Sequence, residues 1–424
     1  MSFPATELEK FAKKHDVSLQ SVTPLTSDER MSALEALLTE TDVPFPISQS
    51  KASAYLNASH RPFKVGTLSD KTIDLSEYSN HQDYEALTFE EHLSWACLIK
   101  DQRATKHQYA CKEYLWGEDI FPINGTVIPD YHFLNARLYQ QTGWQLATVT
   151  TIIPSSLFFR CHRYRFFPVT NFMRPLGTDY LEEPDIGHDV AGHIATFTIP
   201  QVAEVMNNHG VAHERILEAM KLRLKSAKTE KEKTEIVQES ELLSLYAGRI
   251  YWFTVEFGLV MQDERLVAFG AGILSSPGET PYSVDSKEAS RILIDPTSDR
   301  DLLRLATTDY LIDEYQKTYF VMKDFESLSS ITPERILSIV EEAYHLPHLG
   351  WRDVLEDDVL INVGSEAMAP HKKYELVSRN EPIDEASRRV VLRNIALPSI
   401  GPEDHLNPAA QKFLNSQNQT FLVE

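Results

Sequence analysis

The stretch PDIGHDVAGH, residues 184–193, is the segment from which the fold and chemistry of this chain can be worked out. It carries two histidines, His188 and His193, five positions apart. The H-E-x-x-H pattern of zinc proteases places two histidines closer together, with a glutamate between them. This stretch has neither feature, so the spacing leaves open whether the two imidazoles bind a metal, and which metal they would bind.

The position of the two histidines on a helix decides whether they can share an ion. Helical residues five apart differ by about 140° around the axis and about 7.5 Å along it, so they converge only beside a helix end or a distortion. Pro184 and Asp185 are typical of a helix start. We predict that one helix begins here, holds both histidines and ends before Pro200. His188 then lies in the first turn, where convergence is feasible, and two unrelated histidines remain the alternative.

A carboxylate further along the chain could complete such a site. Residues 242–261, LLSLYAGRIYWFTVEFGLVM, approach the length of a membrane span. Arg249 and Glu256 lie inside this segment, however, and charges in mid-membrane are costly. We therefore predict a fully buried helix. An ionised Glu256 in such a helix needs a partner, which is either a bound cation or a buried arginine such as Arg174 or Arg249.

The residue types indicate which metal the site would hold. Two neutral imidazoles and one carboxylate form a facial triad, a ligand set that suits non-haem Fe(II) and leaves positions open for oxygen. A hydrolytic zinc site needs a nearby general base, and the glutamate of H-E-x-x-H is absent. Gly187, Ala191 and Gly192 are small and leave room for a bound group. Asp185 and Asp189 could orient the imidazoles.

Composition limits the classes of partner. The chain has 424 residues and a formal net charge of −21, which argues against nucleic acid or an anionic membrane surface as its main partner. Its three cysteines form no CxxC pair, and its N-terminus lacks the apolar stretch of a signal peptide. We predict free thiols and a cytoplasmic location.

Apolar periodicity and turn residues predict a mostly α-helical architecture with small β elements. Thr88 and Glu91 resemble a capping box at the start of a helix. The charged residues 213–241 are typical of a solvated helix or helical hairpin. The other predicted elements are helices at 28–40, about 82–115, about 130–142 and 301–345, a strand at 144–153, an extended or short helical segment at 166–175, and a strand or hairpin at 265–279.

Three of these stretches resemble the signatures of one family. PDIGHDVAGH is similar to the P-D-x-x-H-[ED]-x-x-G-H signature of the tetrahydropterin-dependent aromatic amino acid hydroxylases. IYWFTVEFGLV (250–260) and AFGAGILSSPGE (268–279) resemble the family's other two signatures, in the same order. Weaker agreement extends the resemblance over residues 80–330. Relative to the family, the segment 213–241 looks like an insertion between the second histidine and Glu256, and the chain looks like a divergent member.

The resemblance implies an aromatic amino acid hydroxylase-like catalytic domain in which His188, His193 and Glu256 hold Fe(II). It implies a tetrahydropterin (tetrahydrobiopterin or a related compound) as electron donor, O2 as co-substrate, and phenylalanine or a related aromatic amino acid as substrate. Phe158 would stack on the flat pterin, although plain core packing is its alternative. By motif position, the residues that contact the pterin are Thr151, Ile152, Ile153, Ser155 and Phe158.

The same resemblance assigns the residues around the substrate. Arg174 matches the clamp for the substrate carboxylate, a task that suits a guanidinium, and Asp185 supports it. Trp252 matches the aromatic wall beside the substrate ring. Gly272 and Ser275 match the residues that line the amino acid end of the substrate.

The chain outside the resemblance gives an expected domain division. We predict an N-terminal extension at 1–80 with no evident regulatory domain, the iron-dependent catalytic domain at 81–345, and a C-terminal extension of unknown role at 346–424. The C-terminal residues show no long apolar heptad, so we expect a monomer or dimer more than a tetramer.

Two alternatives to a hydroxylase remain. One is a metal-dependent hydrolase or isomerase on the same scaffold, and the other is a non-catalytic relative that binds an aromatic ligand. Only the hydroxylase requires the triad, the pterin contacts and the arginine clamp together, and the sequence contains candidates for all of them.

Overall fold

A computed structural model describes residues 4–40, 64–66, 72–74 and 82–368, apart from 124, 179–182 and 313. Much of the predicted N-terminal extension, and the C-terminal extension beyond 368, lie outside the described residues. The helices are α1 (Ala5–Lys14), α2 (Ser27–Glu40), α3 (Phe89–Tyr109), α4 (Lys112–Ile120), α5 (Tyr131–Thr142), α6 (Ser155–Arg163), α7 (Ile186–Asp189), α8 (Pro200–Ser226), α9 (Glu230–Tyr251), α10 (Ala271–Leu274), α11 (Glu279–Asp285), α12 (Asp299–Thr307), α13 (Phe325–Leu328) and α14 (Pro333–Ala343).

The strands are β1 (Lys64–Gly66), β2 (Thr72–Asp74), β3 (Gln145–Val149), β4 (Phe166–Thr170), β5 (Leu259–Gln262), β6 (Arg265–Ala268), β7 (Ser290–Ile294), β8 (Thr318–Met322) and β9 (Val359–Asn362). They form a β1–β2 pair, a parallel β3–β4 pair and a five-stranded sheet in the order β6-β5-β8-β7-β9. In the larger sheet β8 runs parallel to β5 and β7, and the outer pairs are antiparallel. The mostly α architecture with small β elements is thus confirmed.

The predicted capping box at the start of α3 is confirmed. Thr88 Oγ1 accepts a hydrogen bond from Glu91 N (3.2 Å), and Glu91 Oε2 accepts one from Thr88 N (2.8 Å). The prediction of one helix from 82 to 115 is wrong, because α3 ends at Tyr109. The next residues are extended, and Cys111 N donates to Ala268 O (2.9 Å) at the end of β6. The chain thus leaves α3 to bond with the edge of the sheet before α4 begins.

The charged stretch 213–241 forms the predicted helical hairpin, made of α8 and α9. The second helix starts with a capping box between Thr229 and Glu232. Arg223 Nη1 and Glu239 Oε1, 2.9 Å apart, form an ion pair across the hairpin. Nearer the core the hairpin packs against α6 and α14, so that its inner half is buried and its charged tip is exposed.

In two apolar segments predicted to be helical throughout, the structure contains a strand. The prediction of a helix throughout 242–261 is wrong for its last residues, because α9 passes into a short π-helix, Trp252–Glu256, and then into β5. The prediction of helix throughout 301–345 is wrong at β8, whose five residues are all buried. None of the described helices combines the length and apolarity that a membrane crossing needs.

Candidate metal centre and active site

The two histidines of the opening stretch are not on one helix. Helix α7 is capped by Asp185, whose Oδ1 accepts from His188 N (3.0 Å), and it ends at Asp189. The chain then turns, and His193 directly precedes a 3-10 helix, Ile194–Thr198. The prediction of a single helix ending before Pro200 is therefore wrong. This break brings the two imidazole rings together, with centroids 5.1 Å apart.

Glycine is required at the turn between the histidines. A Cβ atom at Gly192 would lie 2.5 Å from His188 O and 2.7 Å from Ala271 O, closer than carbon and oxygen can approach. The turn therefore packs directly on the first residue of α10. The two signatures that contain these residues are joined here by backbone contact.

The short π-helix at the end of α9 places the third ligand. Phe257 N donates to Trp252 O at 2.9 Å, a bond that spans one residue more than an α-helical bond. Glu256, the last residue of this π-helix, directs its carboxylate at both histidines. Its Oε1 lies 3.0 Å from His193 Nε2, and its Oε2 lies 3.7 Å from His188 Nε2.

These three side chains form a group that could hold a metal ion. His188, His193 and Glu256 each offer one ligand atom, and these three atoms lie within 4.8 Å of one another. Among the described residues, no other group of three His, Cys, Asp or Glu side chains comes together in this way. Glu256 Oε2 is buried without a hydrogen-bond partner. Such an atom is costly unless a cation or donor meets it, so the residues fit a divalent ion.

The protonation states also suit a metal. Desolvation lowers the pKa of His188 to about 4, although Glu256 opposes this shift. The ring is therefore neutral at pH 7, which is the form that binds a metal. Burial alone would raise the pKa of Glu256, but the interactions of its carboxylate with His193 and His188 lower it more. The pKa of Glu256 therefore lies below its ordinary value. The glutamate is therefore ionised.

Arg174 is held by a two-pronged ion pair with Asp185. Arg174 Nε donates to Asp185 Oδ2 (2.8 Å), and its Nη2 donates to Oδ1 (2.7 Å). Asp185 is fully buried and also accepts from Arg174 N (3.0 Å). Arg249, the other arginine considered as a partner for Glu256, binds Asp309. The ion pairs of both arginines thus lie elsewhere, and Glu256 faces the two histidines.

Two of the predicted substrate residues, Gly272 and Ser275, lie directly beside the triad. Ser275 Oγ lies 3.1 Å from His188 Nδ1 and donates to Gly272 O (2.9 Å). A Cβ at Gly272 would lie 3.3 Å from Glu256 Oε2, so a glycine keeps the carboxylate uncrowded. Trp252 is half-buried, with its ring centroid 5.5 Å from that of Tyr310.

The predicted pterin residues lie on the loop after β3 and on α6. Thr151 Oγ1 donates to Glu183 Oε2 (3.1 Å), which ties this loop to the segment before α7. The Ile152 side chain is exposed, whereas Ile153 is buried in a small core cluster. Ser155 is exposed at the start of α6, and the half-buried Phe158 meets the His162 ring edge-on at 4.3 Å between centroids. Contact of these five residues with a pterin stays a prediction.

Sequence reasoning missed residues that shape the site from other elements. Tyr310, beyond α12, faces both Trp252 and Phe257, with centroids 5.5 Å and 6.5 Å away. The sequence suggests Asp189 as a group that could orient the imidazoles. Its Oδ2 instead accepts from Thr170 N (2.7 Å) and Oγ1 (2.9 Å), and burial raises its pKa to about 7. These contacts join distant parts of the chain, and no local pattern signals them.

The fold and the site together define a class. Two imidazoles and one carboxylate on a mostly helical frame, with His193 and Glu256 buried and His188 partly exposed, are the ligand set of a mononuclear non-haem iron enzyme.

Comparisons with known proteins identify the family within this class. Residues 74–223 and 238–341 match the model of the biopterin-dependent aromatic amino acid hydroxylases. Phenylalanine-4-hydroxylase of Chromobacterium violaceum is 32% identical over 293 residues, which cover 69% of this chain and 89% of the relative. A structure of that bacterial enzyme with iron(III) and 7,8-dihydrobiopterin aligns with a TM-score of 0.57 at 28% identity, over 75% of this chain and 100% of the other. One with iron and phenylalanine aligns with a TM-score of 0.55 at 29% identity, over 67% and 94%.

The chain belongs to the family of biopterin-dependent aromatic amino acid hydroxylases. It is accordingly a pterin-dependent aromatic amino acid monooxygenase, and the predicted cofactor pair of iron and tetrahydropterin is confirmed at the level of the family. The alternatives of a hydrolase or isomerase and of a non-catalytic binder are not favoured. Residues 224–237, which the family model leaves unmatched, form the tip of the α8–α9 hairpin and lie within the segment that the sequence marked as an insertion.

Proposed function

We propose that this chain hydroxylates the ring of phenylalanine with O2, at a site where His188, His193 and Glu256 hold Fe(II). The observation that carries the proposal is the convergence of these three side chains, whose ligand atoms lie within 4.8 Å of one another. The relative from C. violaceum has been solved with iron and phenylalanine, which supports both the metal and the substrate.

The residues around the triad would fix the ligands for their task. The iron, when bound, would activate O2 for ring hydroxylation, with the pterin as the electron donor. Ser275 donates its own proton to Gly272 O, so its oxygen can accept from Nδ1–H of His188. The proton then stays on Nδ1, and the lone pair of Nε2 faces the metal. Three ligands of this kind would leave further coordination positions of the metal free for O2.

The substrate would be oriented by charge at one end and by aromatic rings at the other. Asp185 holds the Arg174 guanidinium rigidly, which prepares it to bind the carboxylate of the amino acid. Trp252 and Tyr310 form an aromatic wall that suits a benzene ring. Gly272 and Ser275 would line the amino acid end. The loop Thr151–Ser155 and Phe158 would hold the pterin.

We further propose the domain division of the sequence prediction, a cytoplasmic location and a monomeric or dimeric state. The family match ends at residue 341, close to the predicted boundary at 345. Strand β9 lies beyond this boundary and pairs with β7, so the first part of the C-terminal extension joins the sheet of the catalytic domain.

The test combines a metal assay with an activity panel. Protein loaded with Fe(II) is incubated with tetrahydrobiopterin, O2 and phenylalanine, tyrosine or tryptophan, and mass spectrometry follows the gain of one oxygen atom. We expect conversion of phenylalanine, and a Glu256→Gln variant that folds but binds little iron and forms no product. Full iron occupancy and activity in that variant would refute the site. Preference for tryptophan or tyrosine would refute the substrate alone.

A further inference from the structure

A buried lysine lies beneath the turn that connects the two histidines. Lys106, on α3, is 1% exposed, and its Nζ donates to Ala191 O at 2.8 Å and to Glu118 Oε1 at 2.9 Å. Tyr114, on α4, donates its hydroxyl to the same carbonyl at 2.5 Å. Two side chains from two helices thus meet one backbone oxygen, and this oxygen belongs to the turn that sets the angle between the imidazoles.

The carbonyl of Ala191 is available because the helix has ended. In a continuous α-helix it would accept from the N–H four residues later. In this turn Gly192 N bonds to His188 O (2.9 Å), Ile194 N bonds to Val190 O (3.3 Å) and Thr196 N bonds to His193 O (2.9 Å). They leave the Ala191 oxygen to Lys106 and Tyr114. The break that brings the histidines together is therefore completed by side chains, and not by the backbone alone.

Two other helices pack closely against this turn and the 3-10 helix that follows it. Within the turn, Gly192 packs against the Ala271 carbonyl of α10. Helix α4 approaches the 3-10 helix so closely that a Cβ at Gly117 would lie 2.5 Å from Ala195 O. Glu118, the next residue of α4, carries the charge that faces Lys106. The lysine and the histidine turn are thus attached to one rigid frame.

The buried ion pair between Lys106 and Glu118 carries a desolvation cost that apolar side chains would not have. Burying an ammonium group is energetically unfavourable, and well-packed apolar residues often give equal or greater stability. Burial lowers the pKa of Lys106, and Glu118 opposes that shift. A charged donor makes a shorter and stronger hydrogen bond to a carbonyl than a neutral donor does. The ion pair provides this hydrogen bond to Ala191 O, which an apolar pair could not make.

We propose that Lys106 is a positioning residue for the metal centre, which acts through the Ala191 carbonyl and is assisted by Tyr114 and Glu118. Its bond fixes the turn, and the turn fixes how His188 and His193 meet Glu256. The inference rests on the proposed metal site. Residues that orient metal ligands from outside typically contribute about 10- to 100-fold to metal affinity, and we expect an effect of this size from Lys106.

The test uses Lys106→Met, which keeps the length of the side chain and removes the donor. Apoprotein is titrated with Co2+ against a competing chelator, the visible spectrum of the bound Co2+ reports coordination geometry, and thermal unfolding of the apoprotein reports stability. We expect a dissociation constant for Co2+ raised 10- to 100-fold and an altered spectrum. The matched control is Lys112→Met, an exposed lysine on α4 that pairs with Asp263, and it should behave as wild type.

The outcomes separate the inference from the proposed function. A lowered melting temperature with unchanged Co2+ affinity and spectrum would mean that Lys106 only stabilises the fold, and the proposal would be overturned. If Lys106→Met does not fold, Tyr114→Phe removes the second donor to the same carbonyl and must weaken Co2+ binding several-fold, or the proposal fails. Wild-type protein that binds no Co2+, or a Glu256→Gln variant that binds it normally, would refute the metal site itself.

Discussion

Ser275 Oγ lies 3.1 Å from Nδ1 of His188 and donates to the Gly272 carbonyl (2.9 Å), so its oxygen is placed to accept a hydrogen bond from the imidazole. The same signature that contributes Gly272 beside Glu256 thus also contributes the group that sets the tautomer of a histidine. The short segment from Gly272 to Ser275, in and just after α10, thereby contacts two of the three proposed ligands.

Ser275→Ala should weaken iron binding about tenfold, because the His188 ring loses the acceptor that holds its proton on Nδ1. Equilibrium dialysis of Fe(II) under anaerobic conditions measures this change. The control is Ser276→Ala, since Ser276 Oγ accepts from Glu279 N (3.1 Å) and makes no contact with the triad in the structure. Equal iron affinity in both variants would show that the serine does not orient the histidine.

Arg174→Lys should raise KM for phenylalanine by roughly 10- to 100-fold, because lysine cannot make the two-pronged contact that a guanidinium makes with a carboxylate. The comparison substrate is phenethylamine, which lacks the carboxylate. Wild-type enzyme should discriminate strongly between the two compounds, and the variant should discriminate weakly. If the variant discriminates between the two compounds as strongly as the wild-type enzyme, Arg174 does not bind the substrate carboxylate.

Local chemistry in the sequence was sufficient to predict several elements. The capping box of Thr88 and Glu91 places the start of α3, because both partners lie within one turn. Gly143 ends α5 with φ +73°, a conformation that favours glycine, and its N–H bonds to Tyr139 O (2.8 Å). In both cases the residues that decide the structure are neighbours in the chain.

Long-range contacts decided the parts that the sequence could not predict. The apolar run at β8 is buried throughout, as are the first two residues of β5, and such runs do not distinguish strand from helix. The three ligands of the triad could be named, but the break between His188 and His193 depends on Lys106 and Tyr114, which lie far away in the chain. No pattern within 184–193 contains that information.

Gly192→Ala should disrupt the metal site. The added Cβ would lie 2.5 Å from His188 O and 2.7 Å from Ala271 O, so either the turn or α10 has to move. We expect a loss of about 1–3 kcal/mol in the free energy of unfolding and a large loss of iron affinity. Urea unfolding and iron analysis measure the two effects. The control is Gly125→Ala, where the nearest atom to a new Cβ is 3.9 Å away, and wild-type behaviour of both variants would contradict the packing argument.

The free energy of unfolding should decrease as the pH is lowered below about 6.5, the ordinary pKa of histidine. The reason is that three histidines near the site are buried and neutral. Burial lowers the pKa of His213 to about 4, and it lowers the pKa values of His162 and His209 well below their usual range. Above about pH 6.5 neither the folded nor the unfolded state takes up protons at these rings. Below it the unfolded state binds protons that the folded state does not, so the free energy of unfolding decreases as pH falls.

For His213 the window runs from about 6.5 down to its folded pKa of about 4. Each such histidine contributes a slope of about 1.4 kcal/mol per pH unit within its window. His213→Gln keeps a donor for the His209 carbonyl, which Nδ1 of His213 contacts at 2.9 Å, and it removes the titrating ring. Urea unfolding at a series of pH values should therefore show a slope smaller by about 1.4 kcal/mol per pH unit near pH 5, whereas His107→Gln, at an exposed position, should keep the wild-type slope. An unchanged slope in His213→Gln would mean that this ring is protonated in the folded protein as readily as in the unfolded chain.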